Sequence, residues 1–271
     1  MNKSICCVND LAGVGKIALS AMIPILSKKG YSVSTLPTAL VSNTLDYGKF
    51  EILDTSDYMK KTIGIWHNLD FQFDCITTGF MANPKQVETV KELIMNQNDP
   101  LVLVDPIMGD EGKLYPGVEE SIVQIMRQLA GLSDILVPNF TEACFLCEFS
   151  FEKNTLTLKE AEELVRKCRE LGCKSVVITS ANVQNHPCVI GYDHKKDDFF
   201  MINFEWIDVR FPGTGDIFSA ILVSDVLNDK NLHDATLHAM NVVTALIKEN
   251  FENLDKYRGV EIERFISEGK L

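Results

Sequence analysis

Residues 101–105 read Leu-Val-Leu-Val-Asp, a run of four apolar residues that ends in a carboxylate. Residues 175–179, Ser-Val-Val-Ile-Thr, show a similar apolar run followed by a polar residue. A strand that is apolar on both faces is typical of a parallel sheet covered by helices on each side. These two stretches therefore favour an α/β fold in which a buried sheet lies between two helical layers.

Strand-like apolar runs alternate with helical patterns along most of the chain. The predicted strands are Ile5–Val8, Tyr31–Leu36, Cys75–Thr77, Leu101–Val104, Ile135–Val137, Ser175–Thr179 and Cys188–Tyr192. The predicted helices have apolar residues at three- and four-residue spacing, and they are Ile17–Lys28, Ser56–Asn68, Pro84–Asn96, Gly117–Ala130, Thr157–Leu171, Asp216–Leu227 and Leu232–Glu249. The alternation predicts a doubly wound sheet. The sequence shows no linker, repeat or low-complexity segment, and we expect one domain over residues 1–271.

Composition excludes some classes of function. The 271 residues include 26 Lys+Arg against 38 Asp+Glu, a net charge of -12, which disfavours nucleic-acid binding. No apolar run reaches the roughly 18 residues of a membrane span, and the N-terminal apolar stretch is too short for a secretory signal. The eight cysteines lack the spacing of a zinc site, so we expect reduced, buried thiols and a cytoplasmic protein.

Residues 11–19, LAGVGKIAL, follow a predicted strand and invite comparison with a phosphate-binding P-loop. A P-loop requires G-x-x-x-x-G-K-[ST], in which backbone amides surround phosphate and a hydroxyl binds magnesium. Here Asp10 occupies the position of the first glycine and Ile17 that of the hydroxyl residue. Because aspartate repels phosphate and isoleucine cannot bind a metal, a P-loop is excluded, and any phosphate site must lie elsewhere.

Residues 213–216, Gly-Thr-Gly-Asp, immediately precede a predicted apolar helix. Glycines allow close approach of a ligand, and the first amides of a helix lack intrahelical partners. Together with the helix dipole they form a site for an anion. Asp216 has two interpretations here, either a carboxylate that stabilises the dipole or a general base beside a transferred phosphoryl group.

Polar residues follow several predicted strands, at the edge of the sheet where ligands bind in such folds. They are Asn9-Asp10, Thr78-Gly79, Asp105, Pro138-Asn139 and Thr179-Ser180. Carboxylates at the position of Asp105 recur as metal-binding groups in phosphoryl-transfer sites. Asn139 and Glu142 are three residues apart, which on a first helical turn places them together or makes them a capping box.

Several of these segments, taken together, resemble the ribokinase-like superfamily. The segments are DPIMGD (105–110), PNFTEA (138–143) and GTGD (213–216). LPTALVSNTLDYGKF (36–50) and TTGFM (77–81) are similar to the vitamin B6 kinase branch, and the resemblance covers about residues 3–250. It implies a ribokinase-like three-layer α/β/α sandwich with a mostly parallel central sheet. It also implies ATP-dependent phosphorylation of the 5′-hydroxymethyl group of pyridoxal, pyridoxamine or pyridoxine in pyridoxal 5′-phosphate salvage.

The resemblance also implies roles for individual residues. Asp216 would be the general base, and the backbone of Gly213, Thr214 and Gly215 would stabilise the transferred phosphoryl group. The residues implied to bind the nucleotide are Asp105, Asn139, Glu142, Thr179, Ser180 and Thr214. Asp105 and Glu142 would position the Mg²⁺ that accompanies ATP; a need for K⁺ is left open, and a homodimer is expected.

On the substrate side the resemblance implies Asp10, Thr44, Tyr47 and Phe80. Asp10 stands where other B6 kinases often have serine, and a carboxylate there would suit a cationic amine or the pyridine nitrogen. A plain surface aspartate is the alternative. Phe80 stands where tyrosine is common, and stacking on a substrate ring would survive that change.

Two other functions fit the same motifs. One is a hydroxymethylpyrimidine kinase of thiamine synthesis, although its usual GSD-S-GGAG segment is absent. The other is a non-catalytic B6-binding protein of the same fold, against which the intact Asp105, Glu142 and Asp216 argue.

Overall fold

Strands and helices alternate along the chain, as the sequence predicts. A computed structural model describes residues 3–115, 118–150 and 155–271. The strands in these ranges are β1 Ser4–Val14, β2 Ser32–Asn43, β3 Ile52–Asp54, β4 Cys75–Thr78, β5 Leu101–Val104, β6 Gly109–Asp110, β7 Lys113–Leu114, β8 Ile135–Leu136, β9 Ser175–Val183, β10 His186–Asp193 and β11 Asp198–Asn203. The α-helices are α1 Ala18–Lys28, α2 Ser56–Asn68, α3 Pro84–Met95, α4 Ser121–Ala130, α5 Phe140–Cys147, α6 Leu158–Glu170, α7 Thr214–Leu227, α8 Leu232–Glu249 and α9 Glu263–Ser267.

Nine strands form the central sheet in the order β11-β10-β9-β8-β5-β4-β1-β2-β3. The pairings from β9 to β2 are parallel, and β3, β10 and β11 add antiparallel strands at the two edges. Helices α2 to α6 pack into one hydrophobic core and α1, α7, α8 and α9 into a second core on the other face. The predicted three-layer sandwich with a mostly parallel sheet is confirmed.

Helix α7 is enclosed by its neighbours. Every residue from Asp216 to Asp225 is buried, because α1 and α8 flank the helix and the sheet lies beneath it. A helix that is apolar around its whole circumference is typical of such a buried position. Its N-terminus reaches the carboxyl edge of the parallel strands, where the polar segments of the sequence were expected to meet.

Local capping sets other helix boundaries close to the predicted ones. Thr157 caps α6: its Oγ1 accepts from the Glu160 amide at 3.2 Å, and Glu160 Oε2 accepts from the Thr157 amide at 2.8 Å. This reciprocal pair satisfies two amides at the start of the helix. The predicted start of α4 at Gly117 lies outside the described residues.

Two strands are longer than predicted, and this corrects the positions of several polar residues. β1 pairs with β4 up to Val8 and then continues to Val14 along β2 alone, with a register shift between Asn9 and Leu11. Asn9-Asp10 therefore lies at an irregularity within β1, and the prediction that the strand ends at Val8 is wrong. β2 likewise extends beyond Leu36, and β3 and β11 were not predicted. Residues 9–14 of β1, residues 37–43 of β2 and all of β3 lie beyond the carboxyl edge of the sheet, and we call them the flap.

The cysteines lie in the protein interior. All eight cysteines are free thiols, and each except Cys147 is buried, which confirms their interpretation as core residues. In the described ranges no helix combines the length and apolarity needed to cross a lipid bilayer.

Candidate active site

Asp216 lies in the first turn of α7 with its carboxylate held by two donors. The Ala18 amide donates to Oδ2 at 2.8 Å, and Asn9 Nδ2 donates to Oδ1 at 2.9 Å. Burial raises the pKa of Asp216, because removal from water disfavours the charged form, and the two hydrogen bonds oppose that shift. The result is an oriented carboxylate beside the unpaired amides of a helix N-terminus.

The turn that mimics a P-loop packs against this helix start. Gly213 caps α7 with φ of +84°, and a Cβ there would lie 2.2 Å from the Lys16 carbonyl oxygen. Ala18, the first residue of α1, has φ of +45°. Its amide points at Asp216, so the turn supports a carboxylate, a role very different from the phosphate cradle of a P-loop.

Asp105 follows β5 and faces α7. The Ser219 hydroxyl donates to Asp105 Oδ2 at 3.0 Å. Burial first, and then the charges of Glu142 and Asp216, raise the pKa of Asp105 well above its usual range. Like charges disfavour the ionised form, so these effects show that the three carboxylates share one buried region.

Glu142 and Asn139 form the capping box that the sequence left open as one alternative. The Glu142 amide donates to Asn139 Oδ1 at 2.9 Å, and the Asn139 amide donates to Glu142 Oε2 at 2.8 Å. Glu142 Oε1 also accepts from the Met108 amide at 3.0 Å. Burial raises the pKa of Glu142 to about 8 although these amides favour the charged form. Oε1 therefore holds the loop after β5, and Oε2 holds the start of α5.

Asp10 is buried on the flap side of Asp216. Burial first, and then the charge of Asp216, raise the pKa of Asp10 to about 7. The structure thus excludes the alternative of a plain surface aspartate, since only 7% of Asp10 is exposed. A buried carboxylate without an ion pair favours a cationic partner.

Of the other three predicted substrate residues, Thr44 and Tyr47 lie between β2 and β3, and Phe80 lies after β4. Thr44 is fully buried and donates its hydroxyl to the Tyr257 carbonyl at 2.6 Å. The Tyr47 hydroxyl donates to Asp255 Oδ2 at 2.6 Å, which raises the pKa of Tyr47. Both residues therefore bind the segment that follows α8. Phe80 is half-buried beside the site.

Thr179 and Ser180 lie at a different place in their strand from the one predicted. β9 continues to Val183, so the prediction of a strand end at Thr179 is wrong. On one side of β9 a parallel bridge between Asn139 and Thr179 follows the pairing with β8, and on the other side β9 pairs with β10 from Val176 to Val183. Ser180 adopts φ of +56° where the antiparallel pairing with β10 shifts register. The exposed Ser180 and the half-buried Thr179 therefore lie beside Asn139 at the open edge of the site.

The site as a whole concentrates buried carboxyl groups. The buried carboxylates belong to Asp10, Asp105, Glu142 and Asp216. No lysine or arginine of the described ranges forms an ion pair with any of them. Carboxylate oxygens are the preferred ligands of hard divalent cations. In those same ranges no three His, Cys, Asp or Glu side chains are close enough to hold one metal ion alone, so further ligands would have to come from bound molecules.

Two side chains that complete the site were not assigned a role from the sequence. Asn9 was noted only as a polar residue near a strand end, and Ser219 was taken as part of an apolar helix. Asn9 contacts Asp216 across 207 positions of the chain, and Ser219 contacts Asp105 across 114. A polar residue three positions after Asp216, on the same helix face, was the available signal for Ser219.

Comparison with known proteins identifies the family. A family model for phosphomethylpyrimidine kinase matches residues 24–261. The chain is 31% identical to a pyridoxal kinase of Arabidopsis thaliana over 88% of this chain and 78% of that protein. A Schizosaccharomyces pombe relative is 28% identical over 76% of this chain, and the matched part covers 62% of that relative's length. A crystal structure of a Bacteroides thetaiotaomicron VPI-5482 protein with pyridoxal is similar with a TM-score of 0.94 and 32% identity, covering 100% of this chain and 96% of that one. The chain therefore belongs to the phosphomethylpyrimidine kinase family, which confirms its resemblance to the ribokinase-like kinases.

Proposed function

We propose that this protein is a kinase that uses ATP to phosphorylate the 5′-hydroxymethyl group of pyridoxal, pyridoxine or pyridoxamine. The observation that carries the proposal is the buried Asp216 carboxylate, oriented at the N-terminus of α7 by Ala18 and Asn9. The pyridoxal kinase of Arabidopsis thaliana and the structure solved with pyridoxal support the class of substrate.

In this proposal Asp216 takes the proton of the substrate hydroxyl while that oxygen attacks the γ-phosphate. Burial raises the pKa of Asp216, which strengthens it as a base near neutral pH. The amides at the start of α7 face the phosphoryl group, because they have no intrahelical acceptors. They stabilise the charge that spreads over the transferred oxygens.

Asp105 and Glu142 would hold the Mg²⁺ that accompanies ATP. Their carboxylate oxygens are the ligands that a hard divalent cation prefers, and no lysine or arginine of the described ranges pairs with them. Bound there, Mg²⁺ would offset the charge of the nucleotide phosphates. Because both Glu142 oxygens already accept backbone amides, Glu142 would act through its remaining lone pairs or through water. Asn139, Thr179, Ser180 and Thr214 complete the proposed nucleotide side.

Asp10 would recognise the positive charge of the substrate, either a pyridinium N–H or the amine of pyridoxamine. The Phe80 ring would stack on the pyridine ring. Thr44 is fully buried and Tyr47 is bonded to Asp255, so these two would shape the substrate wall by holding the flap against the segment after α8.

We also propose a homodimer of single-domain chains located in the cytoplasm. β3 is an edge strand, and its Leu53 side chain is exposed along with Leu40 on β2. Unpaired edge strands with exposed apolar side chains favour association. Light scattering after size exclusion tests the dimer, because a monomer mass would contradict it.

The test of the function is an assay with Mg-ATP and each vitamer in turn, with hydroxymethylpyrimidine as the competing alcohol. We expect the 5′-phosphate of a vitamer to form, and the isosteric Asp216→Asn variant to lose roughly 10²–10⁴-fold in kcat while still binding ATP. Preferential turnover of hydroxymethylpyrimidine would support the alternative, a hydroxymethylpyrimidine kinase of thiamine synthesis, which is consistent with the description of the family model. Binding of vitamers without turnover would support the non-catalytic protein. Omission of K⁺ from the same assay tests the second cation.

A further inference from the structure

Asn9 lies between the proposed base and the proposed substrate wall, and its side-chain amide contacts both. Nδ2 donates to Asp216 Oδ1 at 2.9 Å, and Oδ1 accepts from the Phe80 amide at 2.8 Å. The Asp10 amide donates to the same Oδ1 at 3.0 Å. Asn9 is only 2% exposed, so water does not compete for these bonds.

The partners of Asn9 fix the orientation of its amide. The peptide amides of Asp10 and Phe80 can only donate, so the oxygen must face them. An ionised Asp216 can only accept, so the nitrogen must face the carboxylate. A flipped amide would leave these buried donors and acceptors unpaired, which is unfavourable away from water. The side chain therefore has one favourable orientation.

Gly79 supplies the space that the Asn9 side chain occupies. β4 lies next to β1 in the sheet, and a Cβ at Gly79 would lie 2.4 Å from Asn9 Cγ and Nδ2 and 2.6 Å from Oδ1. Gly79 does not adopt the left-handed conformation, so its backbone is compatible with alanine. The close approach of Asn9 is therefore the reason that glycine is required.

The groups around Asp216 show why its hydrogen bond with Asn9 matters for the carboxylate. Asp10 and Asp105 are the titratable groups that interact with Asp216 from β1 and from the end of β5, and a carboxyl group there disfavours the ionised form of Asp216. Asn9, the Ala18 amide and the Asp216 backbone amide are the donors that stabilise the ionised form. Without Asn9 the carboxylate would keep backbone donors alone.

We propose that Asn9 is a positioning residue for phosphoryl transfer, whose amide, seated over Gly79, holds the Asp216 carboxylate and the Phe80 backbone in fixed relation. This inference rests on the proposed function. A misplacement of about 1 Å at a reacting centre lowers rates by about 100-fold, so loss of this contact should have a measurable effect on kcat.

The experiment compares Asn9→Ala, Gly79→Ala and the double variant with wild type. The matched control is Asn250→Ala, since Asn250 is 4% exposed and its amide also pairs with backbone groups, donating to Leu246 O and accepting from Glu261 N. We expect Asn9→Ala to lower kcat roughly 10–100-fold with the KM for ATP changed by no more than about twofold. Gly79→Ala should behave similarly, and the double variant should be no slower than Asn9→Ala, because removal of the Asn9 side chain makes room for the methyl group.

Three outcomes would overturn the inference. The first is an Asn9→Ala enzyme with wild-type kcat, and the second is additive losses in the double variant. The third is an equal loss of kcat in Asn250→Ala, which would show a general effect of stability. If Asn9→Ala does not fold, Asn9→Ser replaces it, because serine is too short to span from Phe80 to Asp216. An inactive wild-type protein would contradict both the proposed function and this inference. An active wild type together with an Asn9→Ala variant of unchanged kcat would contradict this inference alone.

Discussion

The Asp10→Asn substitution is expected to make the free protein more resistant to alkaline pH. Burial, and then the charge of Asp216, raise the pKa of Asp10 from 3.8 to about 7. A group with a raised pKa in the folded state stabilises the fold fully below its unfolded pKa, and this contribution disappears as the pH rises through the folded value. Asparagine has the same shape and does not ionise, so it removes this dependence.

The magnitude follows from the titration of the folded state. With a pKa of about 7, Asp10 accounts for a loss of roughly 1.4 kcal/mol in the free energy of unfolding between pH 6 and pH 9. In a domain of this size that corresponds to a fall in Tm of roughly 3–6 °C. Glu142, whose pKa burial raises to about 8, adds to the fall in both proteins, so the difference between them isolates Asp10.

The measurement is thermal unfolding of wild type and Asp10→Asn from pH 6 to pH 9, without nucleotide or divalent metal. Asp57→Asn is the control, because Asp57 is exposed in the first turn of α2, away from the buried carboxyl groups of the site. The variant should lose less stability across this range than both wild type and the control. Equal losses in all three proteins would refute the argument that Asp10 is held protonated by its buried site.

Two further predictions concern α7 and its contacts. Gly213→Ala should lower kcat by at least about 10-fold, because its Cβ would meet the Lys16 carbonyl at 2.2 Å in a left-handed backbone, whereas Gly64→Ala in α2 has open space within 4 Å and should cost far less. Steady-state kinetics of the two alanine variants side by side tests this, and similar losses in both would contradict it. Ser219→Ala leaves Asp105 without its hydroxyl donor and should destabilise the protein by about 1–3 kcal/mol, measured by urea unfolding; unchanged stability would show that water replaces the hydroxyl.

The layered fold was predictable because it depends on local pattern. The apolar runs of β5 and β9 and the helical spacing of α6 and α7 are visible in the sequence, and their order favours a parallel sheet. The flap was not predictable in this way. Beyond Val8 the apolar run is interrupted by Asn9-Asp10 and by Gly13, and the strand continues there through its pairing with the distant β2. The three residues of β3 are all exposed, so they carry no buried pattern at all.

The candidate site was predictable where a motif carries it. Asp105, Glu142 and Asp216 stand in short segments with a recognisable order, and the structure brings their carboxylates into one buried region. The contacts that orient them come from far along the chain. The Ala18 amide and Asn9 reach Asp216 because α1 and β1 pack beside α7. A local sequence pattern cannot predict contacts between such distant positions.

The enclosure of α7 has an evolutionary consequence. A segment that is surrounded on all sides tolerates few amino-acid changes, whereas the flap meets solvent along β3 and has room to vary. Under the proposed function, mutations in residues 36–54 would therefore change substrate selection at a smaller cost to the fold than mutations in α7. Mutant libraries intended to broaden substrate range belong in that region.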